Sequence, residues 1–466
     1  MRSSLRWIRS LRGEQIALIG FLCLLALIGG SSKSDESAQI LVRLGALVGL
    51  AYAVCVRPVP FDSATKPVAI VLAAACIAVA VQLIPLPYAL WSALPGRELY
   101  AQQGMAAGVG TLWRPLSLSP DRTWNALLSL IVPLSIVALM AKMDLHQRRS
   151  LLPVLVCLVG LSALVVLFRL MTGSDWIARF DSTDLGGSGI FANRNHQALL
   201  LVMGFPLLAV WAVEGRLSHI GARLRWWIGG AGAATLVVLI PATGSRTGLA
   251  LSGLALLMTA AILWTPITQG MRKAGRRKNR RLIIAGASVA LVGLIFLTLT
   301  LNRAEGVRRL MSTDVAGDVR ARLFPRVLEM MTTYFPAGAG YGSFDPAFRR
   351  FERLADLKPT YFNQAHNDLL QIVIEGGILG AILLVGALTW LVVRSVRVWR
   401  AGAERTSARL ARLASFLLLL MIAASVVDYP LRTPLMSALF AIFAVWLHEP
   451  IAAGEDASGM RARARG

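Results

Sequence analysis

An all-α, polytopic membrane fold is what this chain predicts, and three observations carry the prediction. Apolar runs long enough to cross a bilayer, which takes about 20 residues, recur along the whole length. Of 466 residues, 56% are hydrophobic and only 16% charged, whereas a soluble domain is about a quarter charged. Mean hydropathy is +0.62. The formal net charge of +23 would suggest nucleic acid in a soluble chain. Here most cations fall in loops between apolar runs, where the positive-inside rule accounts for them, so nucleic acid is not expected as a partner.

Length and flanking charge give about twelve spans. They fall near 14–31, 39–56, 67–85, 124–141, 151–171, 196–213, 226–241, 247–265, 282–301, 368–393, 409–427 and 433–448. The first follows Arg2, Arg6, Arg9 and Arg12, as a signal peptide would, and Gly29-Gly30-Ser31-Ser32 imitates a cleavage site. It is read as a retained span. The second contains Arg43, expected to snorkel to the surface. Cys23, Cys55, Cys76 and Cys157 lie in or beside spans without a CxxC or Cys/His cluster, so neither a zinc site nor a disulfide framework is expected.

With the N-terminus inside, the inner loops carry the denser positive charge, including Lys142, Arg148, Arg149, Arg394, Arg397 and Arg400. The richest cluster, at 272–281, reads as a topology anchor or as a contact for anionic membrane lipid. Both termini are then inside, and the polar tail from 451 to 466 is expected to be disordered. Two long loops, 86–123 and 302–365, face outward. The first holds Trp91, Tyr100 and Trp113, aromatics that suit a membrane interface. The second contains an amphipathic stretch, 320–334, expected to align Leu323, Val327, Leu328 and Met331 on one face. Pro336 ends it, and Gly338, Gly340 and Gly342 supply a turn. Loops this long are usually functional.

Polar residues at the outer ends of the spans need explaining. They are Arg194 and Asn195, Arg246, Arg320 with Arg322, the run His366-Asn367-Asp368 with Glu375, and Asp428 with Arg432. Taken singly they have bland readings. A lone Arg194 or Arg246 anchors a helix at the interface, Asn367 or Asp368 caps the tenth span, and Asp428 pairs with Arg432 across a tight turn. Glu375 is harder to dismiss, because charge inside a span is rare and usually functional. Gly376-Gly377 beside it would let another helix approach closely. Taken together, guanidiniums at one membrane level call for an anion, and Arg grips phosphate with a bidentate fork. A lipid-linked diphosphate occupies that level. A neutral imidazole nearby suits a general base, because cationic neighbours disfavour its charged form. No paired carboxylates recommend a metal in the outer loops.

At these residues the sequence resembles the O-antigen ligase and polymerase superfamily. The matching segments are Gly189-Ile-Phe-Ala-Asn193-Arg-Asn-His196, Thr243-Gly-Ser-Arg-Thr-Gly248, Arg320 before Leu328-Glu-Met330, and Phe335-Pro-Ala-Gly-Ala-Gly-Tyr-Gly-Ser-Phe344. Further matches are Ala365-His-Asn-Asp368 with Glu375-Gly-Gly377, and Asp428-Tyr-Pro-Leu-Arg432. The resemblance implies an inverting, metal-independent glycosyltransferase of the GT-C type, without cofactor, in the bacterial inner membrane. Its donor would be a glycan on undecaprenyl diphosphate, used on the periplasmic side.

By position, the resemblance makes His366 the residue that activates the acceptor hydroxyl, and Arg246 and Arg320 the holders of the diphosphate. Arg194, Asn195, Arg322, Asn367, Asp368, Glu375 and Arg432 are carried as substrate-binding candidates. Phe324 stands where the family has Trp four residues after the loop arginine, which leaves both Arg320 and Arg322 in play. The implied organisation is N-terminal membrane helices over 1–185, a catalytic membrane domain over 186–450 that includes the outer loop 302–366, and the tail 451–466. Lipid A–core is the leading acceptor, which makes the chain a ligase. Another lipid-linked repeat would make it a polymerase, and a protein hydroxyl an O-oligosaccharyltransferase. A transporter is the rival class, but the halves show no similarity and the polar residues gather at one face.

Overall fold

The computed structural model describes residues 11–33, 37–56, 60–172, 189–214, 221–273, 319–356, 362–401 and 406–450. The predicted span 282–301, most of the basic cluster at 272–281 and the tail lie outside them. Within them the chain is helical, apart from a two-residue antiparallel pairing of β1 (Pro85–Leu86) with β2 (Arg114–Pro115). Among the described residues, eight helices are long and apolar enough to cross a bilayer, and three shorter apolar ones pack with them. Together they answer every predicted span except 282–301. The chain is an all-α, multi-pass membrane protein.

The order begins with α1 (Gly13–Ile28), α2 (Ala38–Cys55) and α3 (Thr65–Val81). Short helices α4 (Tyr88–Ser92) and α5 (Glu98–Ala106) follow, then α6 (Pro120–Ser129), α7 (Ile131–Ala141), α8 (Leu145–Arg149) and α9 (Leu151–Thr172). Next are α10 (Arg194–Val213), α11 (Ala222–Ala242), α12 (Arg246–Lys273), α13 (Val319–Tyr334) and α14 (Phe344–Phe348). The last are α15 (Asp368–Arg400), α16 (Thr406–Ser425) and α17 (Pro434–Leu447). Helices α10 and α17 are apolar all round and buried nearly throughout, as expected for the centre of a bundle. Helix α1 belongs to the same core: Leu18, Leu22 and Leu25 are buried, and the carbonyls of Gly29 and Gly30 accept bonds from Leu435 and Ala192. The apparent cleavage site is thus built into the packing.

Residues 86–123 and the described part of the second long segment, 319–356 and 362–365, pack on each other at one end of the bundle. Leu118 donates its amide to the Ala339 carbonyl, and the buried Arg97 guanidinium donates to the carbonyls of Leu116 and Gly338. A second apolar cluster forms there, from Leu323, Val327, Met330 and Tyr334 of α13 with Phe344, Phe348 and Phe362. The buried stripe is therefore 323, 327, 330 and 334. Leu328, expected on that face, is exposed, because the i, i+4, i+7 spacing from Leu323 passes through Met330 instead. Trp91 is likewise no interface residue. It is buried, with Arg97 and Arg114 over its ring. Its neighbour Trp113 is exposed.

Helix α15 is broken at Gly377, whose φ of 59° and ψ of −142° only glycine adopts readily. The break turns the carbonyls of Ile374 and Glu375 outward, and Ala339 and Gly340 donate their amides to them. Gln82 of the α3 C-terminus joins in, donating to the Glu375 carbonyl and accepting from the Tyr341 amide. Broken backbone survives at membrane depth where protein satisfies it. Gly376-Gly377 thus admits a loop, whereas the sequence suggested a helix.

Candidate functional site

Three chain segments meet at the same end of the bundle, and each is shaped by local chemistry. Asn193 caps α10 by accepting the Asn195 amide at 2.8 Å, and Asn367 caps α15 by accepting the Leu370 amide at 2.9 Å. Of the two expected capping candidates, Asn367 does the work. Just before it, His366 has a φ of 50°, and it is the one non-glycine residue at positive φ among those described. Strained backbone of this kind clusters at functional sites. The third segment joins α16 to α17: Asp428, Tyr429 and the 3-10 turn Pro430–Arg432. The Asp368 amide donates to the Asp428 carbonyl at 3.3 Å and ties two of the segments together.

The carboxylate of Asp428 is the centre. It is 1% exposed. Asn195 donates to it at 2.5 Å, and Asn193 at 3.4 Å. Nδ1 of His366 lies 3.6 Å away, Nε2 of His196 3.8 Å and a guanidinium nitrogen of Arg320 3.8 Å. Tyr429 packs edge-on against both imidazoles, at 4.9 Å and 5.4 Å between centroids. Asn195 in turn accepts from the Ser245 hydroxyl at 2.7 Å, so the N-termini of α10 and α12 join one hydrogen-bonded chain.

The electrostatics follow from burial against charge. Burial alone would raise the Asp428 carboxyl, but the adjacent imidazoles of His196 and His366 and the charge of Arg320 hold it well below the usual carboxylate range. The anion persists at neutral pH. Burial pushes the His366 imidazole below its ordinary value; Arg320 and His196 push the same way, and Asp428 opposes them. His366 is thus neutral at physiological pH. A carboxylate at Nδ1 favours the tautomer that leaves Nε2 as a base.

A second network stands beside the first. Arg432 lies 3.3 Å from Asp368 and 3.1 Å from Glu375. Asp368 also accepts from the Ser425 hydroxyl and the Leu431 amide, both at 3.2 Å, and Glu375 from Gln371 at 2.9 Å. The expected Asp428–Arg432 pair does not form. A pair four residues apart needs helical spacing, whereas Tyr429 leaves helical geometry at φ −129° and the 3-10 turn carries Arg432 away. Arg432 serves the two buried acids of α15, and Asp428 is left to serve the histidines.

Of the sequence candidates, His366, Arg320 and Asn195 come together at Asp428. Between the two loop arginines, the geometry favours Arg320: it reaches Asp428, and it donates to the Val427 carbonyl at 3.4 Å. Arg322 is exposed. Arg246 is exposed at the first position of α12, next to Ser245 of the hydrogen-bonded chain, and Arg194 opens α10 with a guanidinium nitrogen near Gly244. Asp368, Glu375 and Arg432 hold one another, and Asn367 is a cap. Sequence reasoning passed over His196 and Tyr429 as site members and gave Asp428 to Arg432. His196 and Asp428 both lay within quoted motifs, and two further polar residues at helix ends on one membrane level were the available signal.

Residues 231–385 match the O-antigen ligase family, so the chain carries an O-antigen ligase-family domain over that stretch. The match includes Arg246, Arg320, Arg322 and the His366–Glu375 segment; Asn195, His196, Asp428 and Arg432 lie outside it. No curated protein matches the chain.

Proposed function

We propose that this O-antigen ligase-family chain transfers a glycan from undecaprenyl diphosphate to an acceptor hydroxyl at the periplasmic face of the inner membrane, with lipid A–core as acceptor. One observation carries the reading: an imidazole on strained backbone at a helix N-terminus, kept neutral, facing a buried carboxylate that also draws in Arg320. The periplasmic side is supported by the asymmetry of the bundle. The site and the described parts of both long segments share one end. Arg148, Arg394, Arg397 and Arg400 lie toward the other, where Arg148 sits between Asp62 at 2.8 Å and Glu449 at 3.1 Å.

The chemistry is a single displacement. The acceptor oxygen bonds to the anomeric carbon as the bond from that carbon to the diphosphate oxygen breaks, with inversion. Nε2 of His366 takes the hydroxyl proton and later returns it to water. Asp428 fixes the imidazole and stabilises the imidazolium as it forms. Arg320, Arg246 and Arg194 meet the charge growing on the departing diphosphate, where oriented donors contribute most. The residues from 186 to 450 form the catalytic unit in this proposal, with 1–185 as its membrane support.

Glycan analysis of a deletion strain tests the reading. Accumulation of full-length lipid-linked polymer, with bare lipid A–core, is the expected result. Single unpolymerised repeats would make the chain a polymerase, and loss of glycan from protein alone would make it a protein glycosyltransferase. An unchanged glycan profile would remove the transferase reading.

A further inference from the structure

A cavity of about 280 Å³ opens beside Arg432, and neither His366 nor Asp428 lines it. Four cations do: Lys33, Arg43, Arg122 and Arg432. Among the described residues, no carboxylate lines it. Part of this charge is offset behind the wall. Arg122 meets Asp345 at 3.0 Å, but Asp345 is shared with Arg349, and Arg432 is held by its two acids.

Arg43 is different. Its guanidinium donates to the amide oxygen of Asn125, and its Nε, shut off from solvent, has no hydrogen-bond partner. Among the described residues it meets no carboxylate. It stands five residues into α2, roughly 7–8 Å along the helix at about 1.5 Å per residue. The side chain crosses to α6, where Asn125 accepts from it. A charge placed inside a span and left without a counter-charge marks a functional site.

The cavity also touches the reacting segment. Asn363 and Gln364 line it, and His366 follows two residues after Gln364. Gln364 accepts from Gln371 of α15 at 2.6 Å, so the wall is fixed to the helix that His366 precedes. Val42 and Val132 of the spanning helices form part of the lining, beside the four cations. The volume is near the lower bound of ligand sites, about 300 Å³, enough for a phosphate with part of its sugar.

We propose that this cavity receives the phosphate of a phosphorylated glycolipid acceptor, so that acceptor and donor diphosphate occupy separate cationic sites on either side of the segment that carries His366. The proposal rests on the transfer reading. Arg43 and Arg122 grip the phosphate with their forks, Lys33 adds a point charge, and Arg432 links the pocket to α15. The acceptor hydroxyl is thereby aimed toward Nε2 of His366, and an acceptor without the anion is held poorly.

The test measures lipid binding to the full-length protein in detergent by native mass spectrometry, with three probes: bisphosphorylated lipid A, dephosphorylated lipid A and undecaprenyl diphosphate. R43Q and R122Q keep hydrogen-bonding capacity and lose charge. Each is expected to weaken bisphosphorylated lipid A about tenfold, the scale of one charge-assisted bond, and to leave the other two probes within about twofold. Should R43Q fail to fold, R122Q and K33Q at the more exposed wall carry the same test. Equal binding of the two lipid A forms by wild-type protein would overturn the proposal. So would equal weakening of undecaprenyl diphosphate, which would assign the cavity to the donor. Failure of wild-type protein to bind undecaprenyl diphosphate would sink the transfer reading by itself, while the lipid A comparison still decides the cavity.

Discussion

Asn195 donates to the Asp428 carboxylate at 2.5 Å, joining the first turn of α10 to the linker between α16 and α17 across more than two hundred residues of chain. That bond holds the carboxylate beside His366 and His196. Asp428→Asn keeps the shape and removes the anion. Transfer should fall by between about 10² and 10⁴, as when a carboxylate that orients a catalytic histidine is lost. Undecaprenyl diphosphate binding by the same variant should be retained. Steady-state transfer in membranes checks the first and lipid binding the second. A variant with wild-type turnover would show that Asp428 does not position the base.

The pH profile has a definite sign. His366 acts in its neutral form, and its pKa lies below the ordinary imidazole value, chiefly through burial and further through Arg320. Activity should therefore persist as pH falls to about 6.5, the ordinary histidine value, and fade only below it. Asp428 opposes the lowering, so D428N should move the acid limb to lower pH. Arg320→Gln should move it upward. The two variants shifting in the same direction would remove the electrostatic account of His366.

Arg432 carries a structural prediction. Asp368 is 3% exposed and Glu375 1% exposed, and Arg432 reaches both. Arg432→Ala leaves two buried acids without their cation, and removing one partner of a buried ion pair costs about 3–5 kcal/mol. Thermal melting in detergent should show a large loss of stability. A melting temperature equal to wild type would mean that the acids do not depend on Arg432.

At Gly377 the expected loss comes from the backbone. An added Cβ would lie 2.1 Å from the Pro336 carbonyl oxygen, at a φ and ψ that alanine resists. Gly377→Ala should strip Ala339 and Gly340 from α15 and lower both melting temperature and transfer. Gly386→Ala, in the same helix with open space around it, should do neither.

The spans were legible because membrane helices declare themselves by length and hydropathy, and the described helices meet the predicted positions closely. The cap at Asn367 was legible from residue type alone. What escaped were relationships set by tertiary geometry. Asp428 was paired with its neighbour four residues on, yet its partners come from α10, α13 and the approach to α15. The partner of Arg43 escaped as well, because nothing local announces Asn125 on α6. Leu328 was placed on the buried face of α13, whereas packing against Phe344 and Phe348 selects Met330. The two adjacent glycines of α15 were read as room for another helix, but the loop that fills the break belongs to a segment more than thirty residues upstream.

The most direct measurement is glycan transfer by His366→Ala in membranes, read beside undecaprenyl diphosphate binding by the same protein. Transfer should fall to background, a loss of at least about 10³-fold, with donor binding intact. Transfer at the wild-type rate by a variant that binds the donor normally would contradict the assignment of His366 as the base.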